Sequence, residues 1–474
     1  MDALVSDPDA CARLLDEYGS PVNLLDFAPL AEHVEELRAV AASSGVDLGI
    51  RVARKANKAV ALVDAARTAG AGVDVASLEE LVQSLDAGMP AERIIVSAAV
   101  KEHELLRVAV AAGAVLSVDN EDELSDILAV AASSARPARL ALRLAITAEG
   151  AAPTRFGLPV QTWLSLLRRG EVTPSARIEG LHFHLNGYAV EDRVAALAEA
   201  LPAVPILRGL GHHVGFIDIG GGLPVRYLDD EDAWRAFWRA LDEDPSAVTW
   251  RGDRLGMVDP SSDRPSPEVY PFWQHRDAPT WLQELLASPL PTSAACPDKR
   301  SGVPSTDAAG VGDGGISVAQ ALRAQDLALH CEPGRAMLDG CGMTLARVAF
   351  RKSTSDGLGL IGLFMNRTQL RSTSRDVLLD PLWIRPAHHR PADETRDAFL
   401  VGAYCIEEEL ILRRRLRFPD GVSRDDIAAF PNTGGYLMHI LESASHRIPL
   451  AATVVRDGDR WVRDRGDAAA RPQA

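Results

Sequence analysis

Residues able to do chemistry recur at one kind of place in this chain, at or just after a short β-branched run. Lys55 follows "DLGIRVA", Asp74 lies in "GVDV" and Arg143 in "RLALRLA". His184 ends "IEGLHFH", Gly220, Gly221 and Gly222 follow "VGFIDI", and Glu332, Gly334 and Arg335 follow "LALHC". Each type has a use. A desolvated lysine beside cations can form a Schiff base at neutral pH. Glycines let backbone N–H groups approach an anion, and a guanidinium suits a bidentate phosphate contact. A carboxylate can keep a pyridine nitrogen protonated, and a flat imidazole can lie against a ring. Taken singly, three glycines also make a tight turn, and "EPGR" also makes a structural ion pair.

The elements that must position these residues alternate along the chain. Runs at 47–52, 72–75, 93–97, 114–118, 139–145, 178–184, 214–219 and 327–331 read as strands, and most intervals hold an amphipathic helix such as "LEELVQSLDAG". Eight strands alternating with helices predict a (β/α)8 barrel, with a doubly wound open sheet as the competing topology. In a barrel, working residues sit beyond the C-terminal strand ends, and phosphate often binds after strands seven and eight. An amine, a glycine cradle, an arginine, a carboxylate and a histidine round one mouth fit pyridoxal 5'-phosphate (PLP).

A length of 474 residues exceeds one typical core, and the pattern changes after residue 340. There "MTLARVAF", "LGLIGLFM", "DVLLDPLWI", "DAFLVGAYC" and "DIAAF" predict strands with few helices between them. The division expected is a barrel over 27–338, a mostly-β domain from 1–26 and 339–460, and a flexible tail at 461–474. An insertion is expected at about 228–318, with a folded part holding Trp234, Trp238, Trp250, Trp273 and Trp281, then a Pro/Gly/Ser-rich loop. The net charge of -16 argues against a general nucleic-acid or membrane-surface binder. An acidic start without a signal-peptide pattern, no long apolar run, and scattered cysteines without CxxC predict a reduced cytoplasmic enzyme without a metal site.

The chain resembles the fold-type III, alanine-racemase-like PLP enzymes, specifically the ornithine/diaminopimelate decarboxylase group. The resemblance rests on "RKAN" (54–57), "GVDVASLEEL" (72–81), "SVDNEDEL" (117–124), "TRFGL" (154–158), "GLHFH" (180–184), "DIGGGLP" (218–224), "EPGR" (332–335), "GAYC" (402–405) and "PNTGGY" (431–436). It implies that Lys55 carries PLP, His184 stacks on the ring and Glu332 faces the pyridine nitrogen, with Asp74 and Arg143 nearby. It implies that Gly221, Gly222, Gly334, Arg335 and Tyr436 line the phosphate site. It also implies a homodimer in which Cys405 enters the neighbouring subunit's site as proton donor, and in which Arg155 pairs with Glu409. The activity implied is decarboxylation of an amino acid. Racemases of the same fold and non-catalytic PLP-binding relatives are the alternatives, and "GAYC", "EPGR" and the β domain argue against them.

Two departures matter. Where the family has "HxHxGS", this chain reads His184-Leu185-Asn186-Gly187, so a phosphate-binding hydroxyl is missing, and Asn186, Gly187 or Tyr188 is left to compensate. Where relatives acting on ornithine, lysine or diaminopimelate place an acid after the cysteine, this chain has Ile406, followed by Glu407, Glu408 and Glu409. An apolar residue cannot pair an ammonium, so a larger or less cationic substrate is expected. Arg367, Arg371 and Glu407 are the candidate substrate contacts. Lys58 reads as a surface charge, and His439, Glu442 and His446, on one face of a possible helix, as structural. The pairs at 212–213 and 388–389 read as loop histidines.

Overall fold

The computed structural model describes residues 1–170, 175–256, 268–291, 315–386 and 396–469. Most of the expected Pro/Gly/Ser-rich loop, Cys296 and the histidine pair at 388–389 lie outside them. After β1 (Val22–Leu25), eight parallel strands close into a barrel: β2 (Leu48–Ala53), β3 (Gly72–Val75), β4 (Ile94–Val96), β5 (Val115–Val118), β6 (Ala138–Arg143), β7 (Ala176–His182), β8 (Phe216–Asp218) and β9 (Ala328–Cys331). The ring closes where Ile50 of β2 pairs with Cys331 of β9, which excludes the open sheet. Ala53 lies opposite Asp74, Arg143 opposite His182, and His182 opposite Asp218. That register gathers polar side chains at the C-terminal strand ends, inside the barrel above Ile95, Val115, Ala141 and Phe216, while the alternate Val, Ile and Leu positions face the helices.

The second domain is a sheet of β10 (Gly342–Ser353), β11 (Gly359–Leu363), β12 (Leu382–Ile384), β13 (Asp397–Val401), β14 (Leu416–Arg417), β15 (Ile427–Pro431), β16 (Ala452–Asp457) and β17 (Arg460–Arg463), joined by β1. β1 pairs antiparallel with β10 and parallel with β16, so both ends of the chain lie in this sheet. Within "DVLLDPLWI" only residues 382–384 form a strand. The turn at 434–438 ties the two domains together: Asn57 of the barrel donates to Gly434 O (2.9 Å), and the N–H of Tyr436 donates to Ala56 O (2.7 Å).

Two sequence expectations need correcting. The stretch 228–318 is not one insertion. The helix Glu231–Glu243 turns Trp234, Phe237 and Trp238 toward the β-domain core, and Trp250 packs edge-on against Phe399 at 5.1 Å. The helix Ala278–Ala287 is a member of the barrel's outer layer, with Trp281, Leu282 and Leu285 buried against helices Ala28–Ser43 and Val190–Ala200. The tail is ordered through residue 469: β17 pairs with β16, and a helix follows at Arg465–Ala469. Buried Asp464 accepts the N–H groups of Val60 and Ala61, both at 3.0 Å, at the start of the helix Val60–Thr68. Among the described residues no helix is long and apolar enough to cross a membrane.

Asp464 therefore caps the helix that follows the Lys55 turn, where a negative charge also meets the positive end of the helix dipole. Replacing it with alanine is expected to cost about 1–2 kcal/mol. A calorimetric melting temperature unchanged in Asp464→Ala would contradict this role.

Candidate active site

Lys55 sits in a single 3-10 turn directly after β2. The turn is braced from within. The guanidinium of fully buried Arg54 donates to the carbonyls of Asn57 (3.0 Å), Lys58 (3.1 Å) and Ala59 (2.6 Å). This consumes the basic charge of "RKAN" internally and leaves Lys55 as the cation that faces the barrel mouth. Lys58 points away and pairs with Glu442 at 3.0 Å. The segment holding His439, Glu442 and His446 is a series of turns rather than a helix, and His439 Nδ1 accepts the N–H of Lys58 at 3.2 Å.

Lys55 Nζ lies 3.6 Å from the buried carboxylate of Asp74, whose other oxygen accepts from Ser97 Oγ at 2.5 Å. Asp74 holds the lysine pKa above its ordinary value, and this outweighs the downward push of burial. The expectation of a lysine poised by neighbouring cations is thus reversed for the free amine. The carboxylate 3.6 Å away is the largest influence on the amine, and the charge of Arg143 a smaller opposing one.

Beneath Lys55, Glu332 is buried and its Oε1 has no hydrogen-bond partner. Burial, and then the charge of Asp74, push its pKa up to about 8. Burial likewise raises Asp218 to about 7 and lowers His182 to about 4. One ligating atom from each of His182, Asp218 and Glu332 falls within 4.8 Å of the others. His182 links this group outward, with Nδ1 2.6 Å from Ser117 Oγ and Nε2 3.5 Å from Glu332. Sequence reasoning singled out His184 and missed His182. The alternation of side chains along a strand was the available signal, since it places both on one face.

His184 lies two residues beyond the end of β7, and burial with the nearby Lys55 charge lowers its pKa to about 3, so its ring is neutral. The N–H of Gly221 donates to His184 Nδ1 at 3.2 Å, and that of Gly220 to Asp218 at 2.9 Å. Two of the three glycine amides thus serve the protein itself. The absent side chains still matter, because a Cβ on Gly222 would strike the Arg193 guanidinium and one on Gly334 would come within 2.5 Å of the Tyr436 hydroxyl. Arg335 is sandwiched, 4.4 Å from the Tyr270 ring centre and 4.7 Å from that of Tyr436.

Lys55, His184, Gly221, Gly222, Glu332, Gly334, Arg335 and Tyr436 line one cavity of about 160 Å³. Arg143 stands beside it, 3.3 Å from Ser97 O and 3.4 Å from Asp119. These features fit PLP: an amine, a buried carboxyl with an unpartnered oxygen, a flat neutral ring, and at the far end a guanidinium beside residues that tolerate no side chain. A larger cavity of about 380 Å³ shares His184, Leu185 and Asn186 with the first. Ile146, Pro153 and Phe156 are among its apolar walls, with Glu149, Arg155 and Asp192 also lining it.

The structure does not bring the remaining candidates to this cavity. Cys405, Ile406 and Glu407 form an exposed turn of the β domain. Arg371 is spent on the carbonyls of Arg375, Leu410 (2.9 Å) and Ile411 (3.3 Å), a correction to its reading as a substrate contact. Arg367 donates to Glu408 O at 3.0 Å and lies 3.8 Å from Glu409. Glu409 is buried, and it also accepts the N–H of Arg367 at 2.8 Å. Arg155 is exposed, 4.1 Å above the Phe156 ring.

The family profile described as "Pyridoxal-dependent decarboxylase, pyridoxal binding domain" matches residues 30–243. An uncharacterised protein, y4yA, of Sinorhizobium fredii is 31% identical over 446 residues, 93% of this chain and 89% of that protein. Diaminopimelate decarboxylase of Zymomonas mobilis is 25% identical over 94% of this chain and 89% of its own. Among solved structures, diaminopimelate decarboxylase of Helicobacter pylori complexed with L-lysine superposes with a TM-score of 0.69 at 18% identity, covering 96% of this chain and 95% of its own. Lysine/ornithine decarboxylase of Vibrio vulnificus gives 0.62 at 16% identity, covering 95% and 98%.

The buried carboxyl gives a pH test on the protein freed of cofactor. The pKa of Glu332 is raised from 4.5 to about 8, so its stabilising effect is full below 4.5 and is lost as pH rises through 8. Asp218, raised to about 7, acts with the same sign. His182 and His184, lowered from 6.5, oppose this only below pH 6.5. Between pH 6.5 and 8 stability should therefore fall, and it should fall less steeply in Glu332→Gln. Equal slopes for the two proteins in denaturant titrations would place the proton elsewhere.

Proposed function

This chain belongs to the pyridoxal-dependent decarboxylases, and from that premise we propose that it removes the α-carboxylate of an amino acid or amino-acid conjugate whose distal end is not held by an acid beside Cys405. The observation that carries the reading is the single cavity in which Lys55, buried Glu332 and Arg335 meet. PLP bound there supplies the electron sink for the pair released when the Cα–carboxylate bond breaks. Lys55 would hold the cofactor covalently, and Asp74 keeps a proton on the amine when it is free. Glu332 would offer its proton-sharing carboxyl to the ring nitrogen. His184, neutral and half-buried, would lie against the bound ring and help exclude water. Arg335 and the residues about Gly222 and Gly334 would hold the phosphate.

Cys405 is the proposed donor of the proton that returns to Cα. Its exposed turn in the β domain, outside the Lys55 cavity, supports a reading in which it serves the site of a second copy. The proposed assembly is a homodimer with shared active sites, with Arg155, exposed near the barrel mouth, as a contact of its interface. Its proposed acid, Glu409, has Arg367 as an intrachain partner, so a contact across the dimer would be shared. Ile406 beside the thiol, 45% exposed, offers no charge for a substrate ammonium. The cavity of about 380 Å³ next to His184 gives room for a bulkier distal group.

Lys55→Ala should abolish the visible absorbance of lysine-bound PLP and leave no borohydride-reducible linkage, with carbon dioxide release at least 10³-fold lower. A retained linkage would overturn the assignment. Lysine, ornithine and diaminopimelate should be poor substrates; turnover typical of primary metabolism on any of them would refute the distal-end reading. Mixing inactive Lys55→Ala and Cys405→Ala chains should restore roughly a quarter of wild-type activity, the statistical share of intact sites in a two-fold dimer. No recovery after subunit exchange would contradict sharing.

A further inference from the structure

We propose that Tyr188 supplies a hydroxyl that binds the cofactor phosphate, and that Tyr270, from the segment between β8 and β9, positions it. This rests on the reading that the Lys55 cavity holds PLP. The geometry begins with the loop after β7. Asn186 turns its side-chain oxygen onto the N–H of Gly187 at 3.0 Å, so that amide is engaged within the loop. Buried Arg193 donates to the carbonyls of Leu185 (3.2 Å), Gly187 (2.7 Å) and Ala189 (3.4 Å). The indole N–H of Trp281 donates to Tyr188 O at 2.6 Å. The loop is thus clamped from its outer side, and Tyr188 is left lining the cavity beside Gly222, Gly334 and Arg335.

Burial raises the Tyr188 pKa and keeps the phenol protonated, while the Arg335 guanidinium and a hydrogen bond with Tyr270, both facing its oxygen, work against that rise. The two tyrosine rings meet edge to face at 5.7 Å. The Tyr270 oxygen already accepts from Val225 N–H (3.1 Å) and from Gln274 Nε2 (2.9 Å). Its own O–H has Val225 O only at a long 3.5 Å, and the Tyr188 phenol is its other hydrogen-bond partner. With Tyr270 held against it, Tyr188 keeps its hydroxyl at the wall of the cavity it lines. The same Tyr270 ring lies 4.4 Å from the Arg335 guanidinium and fixes its plane. Tyr270 therefore orders two phosphate donors without touching the phosphate, which makes it a positioning residue.

The test separates phosphate from ring by comparing PLP with pyridoxal, which lacks the phosphate. Both are titrated into full-length wild-type, Tyr188→Phe and Tyr270→Phe proteins after removal of bound cofactor, followed by tryptophan fluorescence. Loss of a hydrogen bond to a charged group weakens binding about 10- to 100-fold. Tyr188→Phe should lose that much for PLP and less than two-fold for pyridoxal. Tyr270→Phe should show the same selectivity with a smaller loss. Equal losses for both ligands, or unchanged PLP affinity in Tyr188→Phe, would overturn the proposal by reducing Tyr188 to a packing residue. A selective loss in Tyr188→Phe with none in Tyr270→Phe would overturn the positioning role. Wild-type protein with no preference for PLP over pyridoxal would instead overturn the assignment of the cavity to PLP.

Discussion

Closing eight parallel strands removes water from around Glu332, Asp218 and His182, and that desolvation governs the rest of the site. A bare carboxylate there would cost several kcal/mol, so the two acids retain protons near neutrality while the imidazole stays unprotonated. Lys55 keeps its charge because Asp74 pairs with it at 3.6 Å, nearer the mouth. The result is a graded column, with neutral groups that can share protons below and an ion pair above. A pyridine nitrogen suits the lower level and an aldehyde carbon the upper one.

Holding that column in register falls to buried arginines, and their role is easily misread. Arg54, Arg193 and Arg371 all direct their donors at backbone carbonyls: the first clamps the Lys55 turn, the second the Tyr188 loop, the third the chain beyond Cys405. A guanidinium has five N–H donors in a fixed fork, enough to fix several carbonyls of an irregular loop at once. Such loops have no ladder of their own, and buried carbonyls left unpaired would be costly. The three clamps thus preorder these loops, and the donors they spend are not free for an anion.

This explains which parts were legible in the sequence. The eight barrel strands stand out because each is a short, mainly apolar run between helical segments, and the structure places every one within two or three residues of its run. Lys55, His184, Glu332 and Arg335 were legible because strand ends in a barrel converge. Arg371 was misread because a clamp and an anion site use the same residue type, and only the carbonyls of residues 410 and 411 tell them apart. The ordered tail was illegible for a different reason. β16 finds its partner in β1, more than 400 residues away in sequence, and no local pattern in "RDGDRWVRDRG" announces that pairing. Asp464 gains its meaning only from that long-range contact.

The segment between β8 and β9 shows how one excursion can serve both domains. Its first helix lays Trp234 and Trp238 on the β-domain core, while Tyr270, a little further on, reaches back to Arg335 at the barrel mouth. Arg335 depends on that segment for its Tyr270 partner, whereas Lys55 and Asp74 are placed by β2, β3 and the turn braced by Arg54 and the 434–438 segment. The two ends of the cofactor are therefore supported by parts of the chain with different freedom to vary. The Lys55–Asp74 end is fixed by barrel closure, which admits little change. Tyr188 and Tyr270, the latter against Arg335, come from a loop and an excursion, whose paths barrel closure leaves far less constrained.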